Sequence, residues 1–348
     1  MRGLADAALL GAVAAGSVAT MPAMVRATWP RRSPATAILL WQALGLAGGL
    51  AAVGTLLGGV MIGLPVSGRP TSIAGAFLRA RALETAWWHE PGVLIAARGL
   101  CLVAGLALLT LLCWVLVAAT AGVVNARRRQ RELLALLAHG DPKVPGALVL
   151  DHPAAAAYCV PGLHSTIVFS AGALELLDPA ELAAVLAHER AHLRERHDLV
   201  LLPFTALRRA FPRSGLCADA YRAVALLVEM LADDRALRAR PARELISALV
   251  LFGTAGQVPA GTLAAGGEGD VAARVARLLR PMRPLPAPAI AAICAGAAVI
   301  AAAPAVLLVW VWLRATLVTR YQGPYGPMCC LLLPVLRKPF TFGRTSVR

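Results

Sequence analysis

Charged residues are few in this chain, and lysine is nearly missing. Asp, Glu, Lys and Arg make up 15% of the sequence, and of its 34 basic residues only Lys143 and Lys338 are lysines. Aromatic residues are scarce too, at 5%. So little charge beside 58% hydrophobic residues excludes an ordinary soluble domain and points to a multi-pass α-helical membrane protein. The seven cysteines contain no C-x-x-C pair, which argues against both a disulfide framework and a cysteine metal site. The net charge of +15 is carried almost wholly by arginine. On a chain this apolar it fits contact with anionic lipid headgroups and control of topology, and no direct nucleic-acid binding is expected. No internal repeat is evident.

Four apolar runs are long enough to span a bilayer, which takes roughly 20 residues. They are Ala7 to Val25, Ala35 to Val66, Gly99 to Ala126 and Leu285 to Leu313. The first lacks a clear cleavage site and reads as a membrane helix rather than a signal peptide. The second is over-long and rich in glycine; Gly45, Gly48, Gly49 and Gly54 would allow close helix packing. The fourth ends in Trp310 and Trp312, placed as interface aromatics. Arg26, Arg31 and Arg32 follow the first run, and Arg127, Arg128, Arg129 and Arg131 follow the third. Two runs separate these clusters, so both lie on one face, which the positive-inside rule makes cytoplasmic. The three arginines between Ser67 and Gly92, and the basic tail 314–348, run against that rule. The tail, with Cys329 and Cys330, reads as poorly structured.

The one sizeable polar segment, 127–284, enters the membrane from the same face at both ends. Its pattern is α+β. Short strands are expected at Gly146 to Asp151, Ala156 to Val160 and Ser165 to Ser170. Asp178 stands as an N-cap, with Pro179 at the first helical position and Glu181 completing a capping-box pattern, so a helix should run through at least Leu193. A second long helix is expected over Ala218 to Ala239, and a glycine-rich loop over Gly253 to Gly269. In "VAARVARLLR", Arg274, Arg277 and Arg280 share one face and Val271, Val275 and Leu278 another. That spacing reads as a helix lying on the membrane surface, or as a solvated basic face.

The first of these helices carries "AHERAHLRERHD", with His188, Glu189 and His192 in the pattern H-E-x-x-H. Residues four apart share a helix face, so both histidines can offer a ring nitrogen to one ion. Glu189 projects beside them, where it could take a proton from an activated water. A catalytic zinc needs three protein ligands. Asp198 sits where one kind of extension places a ligand, but Glu195 stands where the turn-making glycine would be, and glutamate would continue the helix. His197 reaches the same side only if helical geometry persists, and otherwise orients its neighbours. Glu229 on the second helix is the strongest candidate. With Asp233 one turn later it forms an acidic pair on an apolar helix, and such a pair needs an ion or an arginine, such as Arg190 or Arg194. His89, His139, His152 and His164 read as ordinary surface histidines, and Glu175 as a solvated helix residue.

"TIVFSAGALELLDPAELAAVLAHERAHLRERHD" followed by "EMLADDRAL" resembles the membrane gluzincin metallopeptidases. These include the CAAX prenyl proteases, the bacterial membrane heat-shock protease and the β-lactam-sensor antirepressor peptidases. Three runs, a polar domain and a fourth run look most like the antirepressor layout. The resemblance implies a multi-pass membrane protein with an inserted α+β zincin-like domain. It implies one Zn2+ on His188, His192 and Glu229, Glu189 as general base, and Asp233 steadying a ligand histidine. It also implies that Thr166, Ile167, Val168, Phe169 and Ser170 form an edge strand that pairs with substrate. The protein is then expected in the cell membrane with its peptidase domain facing the cytoplasm. Its expected partners are the lipid bilayer and a protein substrate, which by resemblance alone is a transcriptional repressor in a signalling pathway. A broad-substrate quality-control or processing protease and a non-catalytic membrane scaffold are the alternatives. No S-x-x-K and no further domain follow the fourth run in this sequence, so β-lactam sensing by acylation is not implied.

Overall fold

The computed structural model describes residues 2–60, 92–162, 165–254 and 268–321. Among these described residues, three long helices come first: α1 (Arg2–Arg26), α2 (Pro34–Gly59) and α3 (Gly92–Leu137), with a short 3-10 turn at Trp29–Arg32 between the first two. Four short strands follow: β1 (Ala138–Gly140), β2 (Ala147–Leu150), β3 (Ala157–Val160) and β4 (Thr166–Ser170). The remaining elements among the described residues are helices: α4 (Ala171–Leu176), α5 (Pro179–Arg194), α6 (His197–Ala210), α7 (Gly215–Ala236), α8 (Ala242–Thr254), α9 (Glu268–Leu279) and α10 (Ala287–Tyr321).

Helices α1, α2, α3 and α10 are long and apolar enough to cross a membrane. Half of the apolar window of α2 is buried, against 17%, 6% and 11% for the other three, which makes α2 the central helix of this group. Its glycines divide by position. A side chain at Gly54 would press on Leu10, and one at Gly48 would meet Ser17, whereas Gly45 faces open space. The end of the expected second run (61–66), most of the loop after it with His89, the glycine-rich stretch 255–267, His164 and the tail from 322 onward lie outside the described residues, as does the Trp312 side chain.

Helix α3 does not stop where its apolar run does. "ARRRQRELLALL" holds no glycine or proline and is made of strong helix formers, so the helix runs on to Leu137. Its 46 residues extend about 69 Å at about 1.5 Å each, against a hydrocarbon core of about 30 Å. Strand β1 begins at the next residue.

The sheet order is β1-β2-β4-β3. Strand β4 pairs in parallel with β2 and antiparallel with β3, so both of its edges are filled. This corrects the expectation that Thr166 to Ser170 form an edge strand. Ile167, Val168, Phe169 and Ser170 are all buried, as a central strand covered on both faces should be. One face of the sheet packs through Val149, Ile167 and Phe169 onto Leu182 and Val185 of α5 and Ala248 of α8.

The other side of the polar segment packs against the apolar helices. Met24, Ile38, Trp41 and Leu44 form one buried cluster with Leu201 and Phe204 of α6 and Val224, Leu227 and Val228 of α7. Trp41 is fully buried, with its ring edge-on to Phe204 at 6.3 Å. Gln42 of α2 donates a hydrogen bond from Nε2 to the Val200 carbonyl at 2.7 Å. The polar segment therefore shares a core with α1 and α2.

Candidate metal centre

Helix α5 begins as its sequence dictates. Asp178 accepts from the Ala180 and Glu181 amides at 2.8 and 2.7 Å, and Glu181 accepts from the Asp178 amide at 2.9 Å, closing a capping box. The helix ends at Arg194. Glu195 does not continue it, contrary to expectation. Arg196 turns the chain with φ 51° and ψ 46°, in the left-handed region that side chains rarely occupy. That turn brings His197 back beside His192.

His188 and His192 lie one turn apart on the buried face of α5, and Glu229 comes to them from α7. His188 Nε2 is 3.1 Å from His192 Nε2 and 3.3 Å from Glu229 Oε2, and His192 Nε2 is 3.6 Å from Glu229 Oε1. Donors about 2.0–2.1 Å from one tetrahedral zinc stand roughly 3.3 Å apart, so this spacing fits a zinc ion. Two imidazole nitrogens and a carboxylate aimed at one buried point are also the donor chemistry such an ion takes. Asp198 is elsewhere: its carboxylate takes the Arg127 guanidinium at 2.6 Å.

Each ligand candidate is held from behind. His188 Nδ1 lies 3.1 Å from Asp233 Oδ1, within ion-pair distance but not aligned as a hydrogen bond. His192 Nδ1 and His197 Nδ1 share a proton at 3.0 Å, and His197 Nε2 lies 3.5 Å from Glu195, which in turn holds Arg235. Burial, then neighbouring His192, lower the His197 pKa to about 4, so it is neutral near pH 7 and free to accept from His192. Burial alone would lower His188, but the Asp233 and Glu229 carboxylates outweigh it and raise its pKa to about 9. Burial opposes ionisation of Glu229, yet His192 and Arg274 together hold its carboxyl well below the usual range.

Two residues at this site were not legible as site residues. Arg274 of α9 is buried, not spread on a membrane surface. It donates to Asp233 from Nε at 2.9 Å and from Nη2 at 2.6 Å, and its Nη1 is 2.9 Å from Glu229 Oε2. The other face of α9, with Val271, Val275 and Leu278, packs onto Ala184, Leu245 and Leu249. The surface-helix expectation is thus overturned: both faces of α9 are used by the protein. The arginine that the acidic pair required is Arg274, and neither Arg190 nor Arg194 takes that place. Cys159 of β3 is the second such residue. Its buried thiol faces the half-buried Glu189; burial first, then Glu189, push its pKa far above the ordinary thiol range. His139 and His152 are outside the cluster, as expected.

Residues 124–226 match the family model Peptidase family M48. The match covers the H-E-x-x-H helix and ends just before Glu229, well under half of the chain. No curated protein and no solved structure matches the chain. The matched segment supports a membrane-type gluzincin peptidase, a class of zinc-dependent metallopeptidases. His188, His192 and Glu229 form its candidate metal triad.

Proposed function

We propose that this chain is an integral-membrane zinc endopeptidase that cleaves a protein presented at the membrane surface. The convergence of Glu229, from a separate helix, on His188 and His192 carries this reading. His188, His192 and Glu229 would hold one zinc ion. When bound there, zinc supplies a Lewis acid for the scissile carbonyl and makes a water easier to deprotonate. Glu189, on the same helix, takes the proton of the attacking water and returns it to the departing amine. Neutral His197 accepts from His192 Nδ1 and so keeps His192 Nε2 as the donating nitrogen. Since β4 has no free edge, the strand offered to an extended substrate is β3, which is outermost in the sheet and places Cys159 against Glu189.

The shared core with α1 and α2 supports a membrane-proximal substrate. The arginine clusters support a multi-pass chain whose peptidase segment, 127–284, faces the cytoplasm. A repressor substrate and the antirepressor layout rest on resemblance alone. The test is metal analysis and proteolysis of the detergent-purified chain, with a loosely folded fluorescent reporter protein as substrate. Wild type should carry zinc and cleave. Glu189→Gln should keep the zinc and lose about 100-fold to 10,000-fold in turnover. A wild-type protein without zinc, or a Glu189→Gln variant that cleaves normally, overturns the proposal.

A further inference from the structure

Helix α9 lays two arginines, one turn apart, on the acidic end of α7. Arg274 grips Asp233 with two nitrogens and Glu229 with the third, all at 2.6–2.9 Å. Arg277 grips Asp234 with two nitrogens, at 2.7 and 2.8 Å, and its Nε donates to the Arg31 carbonyl at 2.8 Å. Arg31 lies in the short turn that joins α1 to α2. That same turn reaches back through Arg32, whose Nε donates to the Arg283 carbonyl at 2.9 Å, just beyond α9. Residues 280–286 then lead directly into α10. One helix therefore links a candidate metal ligand, the connection between the first two apolar helices, and the start of the last one.

Taking Glu229 as a metal ligand, we propose that Arg274 is the positioning residue for that ligand, and that Arg277 sets Arg274 by docking α9 on Asp234 and Arg31. Arg274 does more than neutralise buried charge. Its Nη1 holds Glu229 Oε2, the oxygen nearer His188, and leaves Oε1 to the side of His192. Its other two donors fix Asp233 behind His188. A planar guanidinium can grip both carboxylates at once in this arrangement, whereas an ammonium is a point charge with no fork. Loss of such outer partners typically weakens metal binding about 10-fold to 100-fold.

The test measures zinc affinity of the detergent-purified full chain by competition with a chromophoric chelator, and records the visible spectrum of the cobalt-substituted protein. Arg274→Lys keeps the charge and removes the fork. It should bind zinc about tenfold more weakly than wild type, with an altered cobalt spectrum and an unchanged elution volume. Arg277→Met and Asp234→Asn lie outside the ligand set. Each should weaken zinc binding by about threefold, and the double variant should be no worse than either alone, because both break one link. Arg222→Met removes an exposed ion pair with Asp219 on the same α7 and should bind as wild type does. If Arg274→Lys binds zinc with wild-type affinity and spectrum, Arg274 is only a counter-charge and the proposal falls. If Arg274→Lys does not fold, the proposal stands or falls on Arg277→Met and Asp234→Asn, and wild-type zinc affinity in both overturns it. A wild-type chain that binds no zinc is a different failure, that of the metal-site reading itself.

Discussion

The candidate site has a histidine half and a glutamate half, and different parts of the molecule hold them. His188, His192 and His197 come from one stretch of chain that caps its own helix and turns back on itself at Arg196. The opposite face of that stretch leans on the small sheet. Glu229 and Asp233 come from α7, whose other face packs on Trp41 and Leu44 of an apolar helix, and whose acids are gripped by Arg274, 41 residues beyond Asp233 in the chain. The histidine half takes its helix cap and its turn from local sequence. The glutamate half takes its support from the apolar helices and α9, so the site lies at the joint between the apolar helices and the sheet domain.

The sharpest way to break this comparison is to loosen the glutamate half without touching a ligand. Trp41→Ala should destabilise the folded chain by about 3–5 kcal/mol and lower its zinc retention. A thermal melt in detergent with metal analysis checks this, and an unaltered melt with full zinc would show that α7 does not depend on α2. A smaller effect should appear where the halves meet. His188 is held protonated up to about pH 9 by the glutamate half, so taking up zinc near pH 7 must displace a proton from it. Apparent zinc affinity should therefore fall about tenfold for each pH unit below 9, read by chelator competition from pH 6.5 to 9. For the metal-free chain the sign reverses. A pKa raised from 6.5 to about 9 contributes stability that is fully present below pH 6.5 and is lost as pH rises through 9. A flat affinity profile would mean that the two halves are not electrostatically joined. The smallest change belongs to the histidine half: Asp178→Ala removes the cap of α5 and should cost about 1 kcal/mol, seen as a modest drop in melting temperature with zinc still bound.

The same division explains what could be read from sequence. The capping box at Asp178, three of the four strands and the H-E-x-x-H face all follow from short-range chemistry, and each stands in the structure within a residue of its expected place, whereas α3 begins before its apolar run and ends after it. Glu229 was legible because an acidic pair on an apolar helix demands a partner. The partner was not. Arg274, Arg277 and Arg280 recur at a spacing that an amphipathic surface helix shares, and nothing local distinguishes an arginine bound to lipid from one bound to a buried carboxylate. Strand β1 (Ala138–Gly140) is too short to show a period. The misplacement of β4 had a signal against it: an unbroken apolar run such as "IVF" belongs to a strand covered on both faces, whereas an edge strand tends to alternate. Glu195 misled in the opposite sense, because a good helix former does not forbid a left-handed residue immediately after it.

Helix α3 passes into β1 with no residue between them, and Arg127 and Arg131 on its flank bind Asp198 and the Pro161 carbonyl. Helix and sheet are therefore joined without a linker. A rotation of the helix about its own axis would meet no flexible residue before β1. The strand it would turn first is at one border of the sheet, and β3, beside Glu189, is at the other.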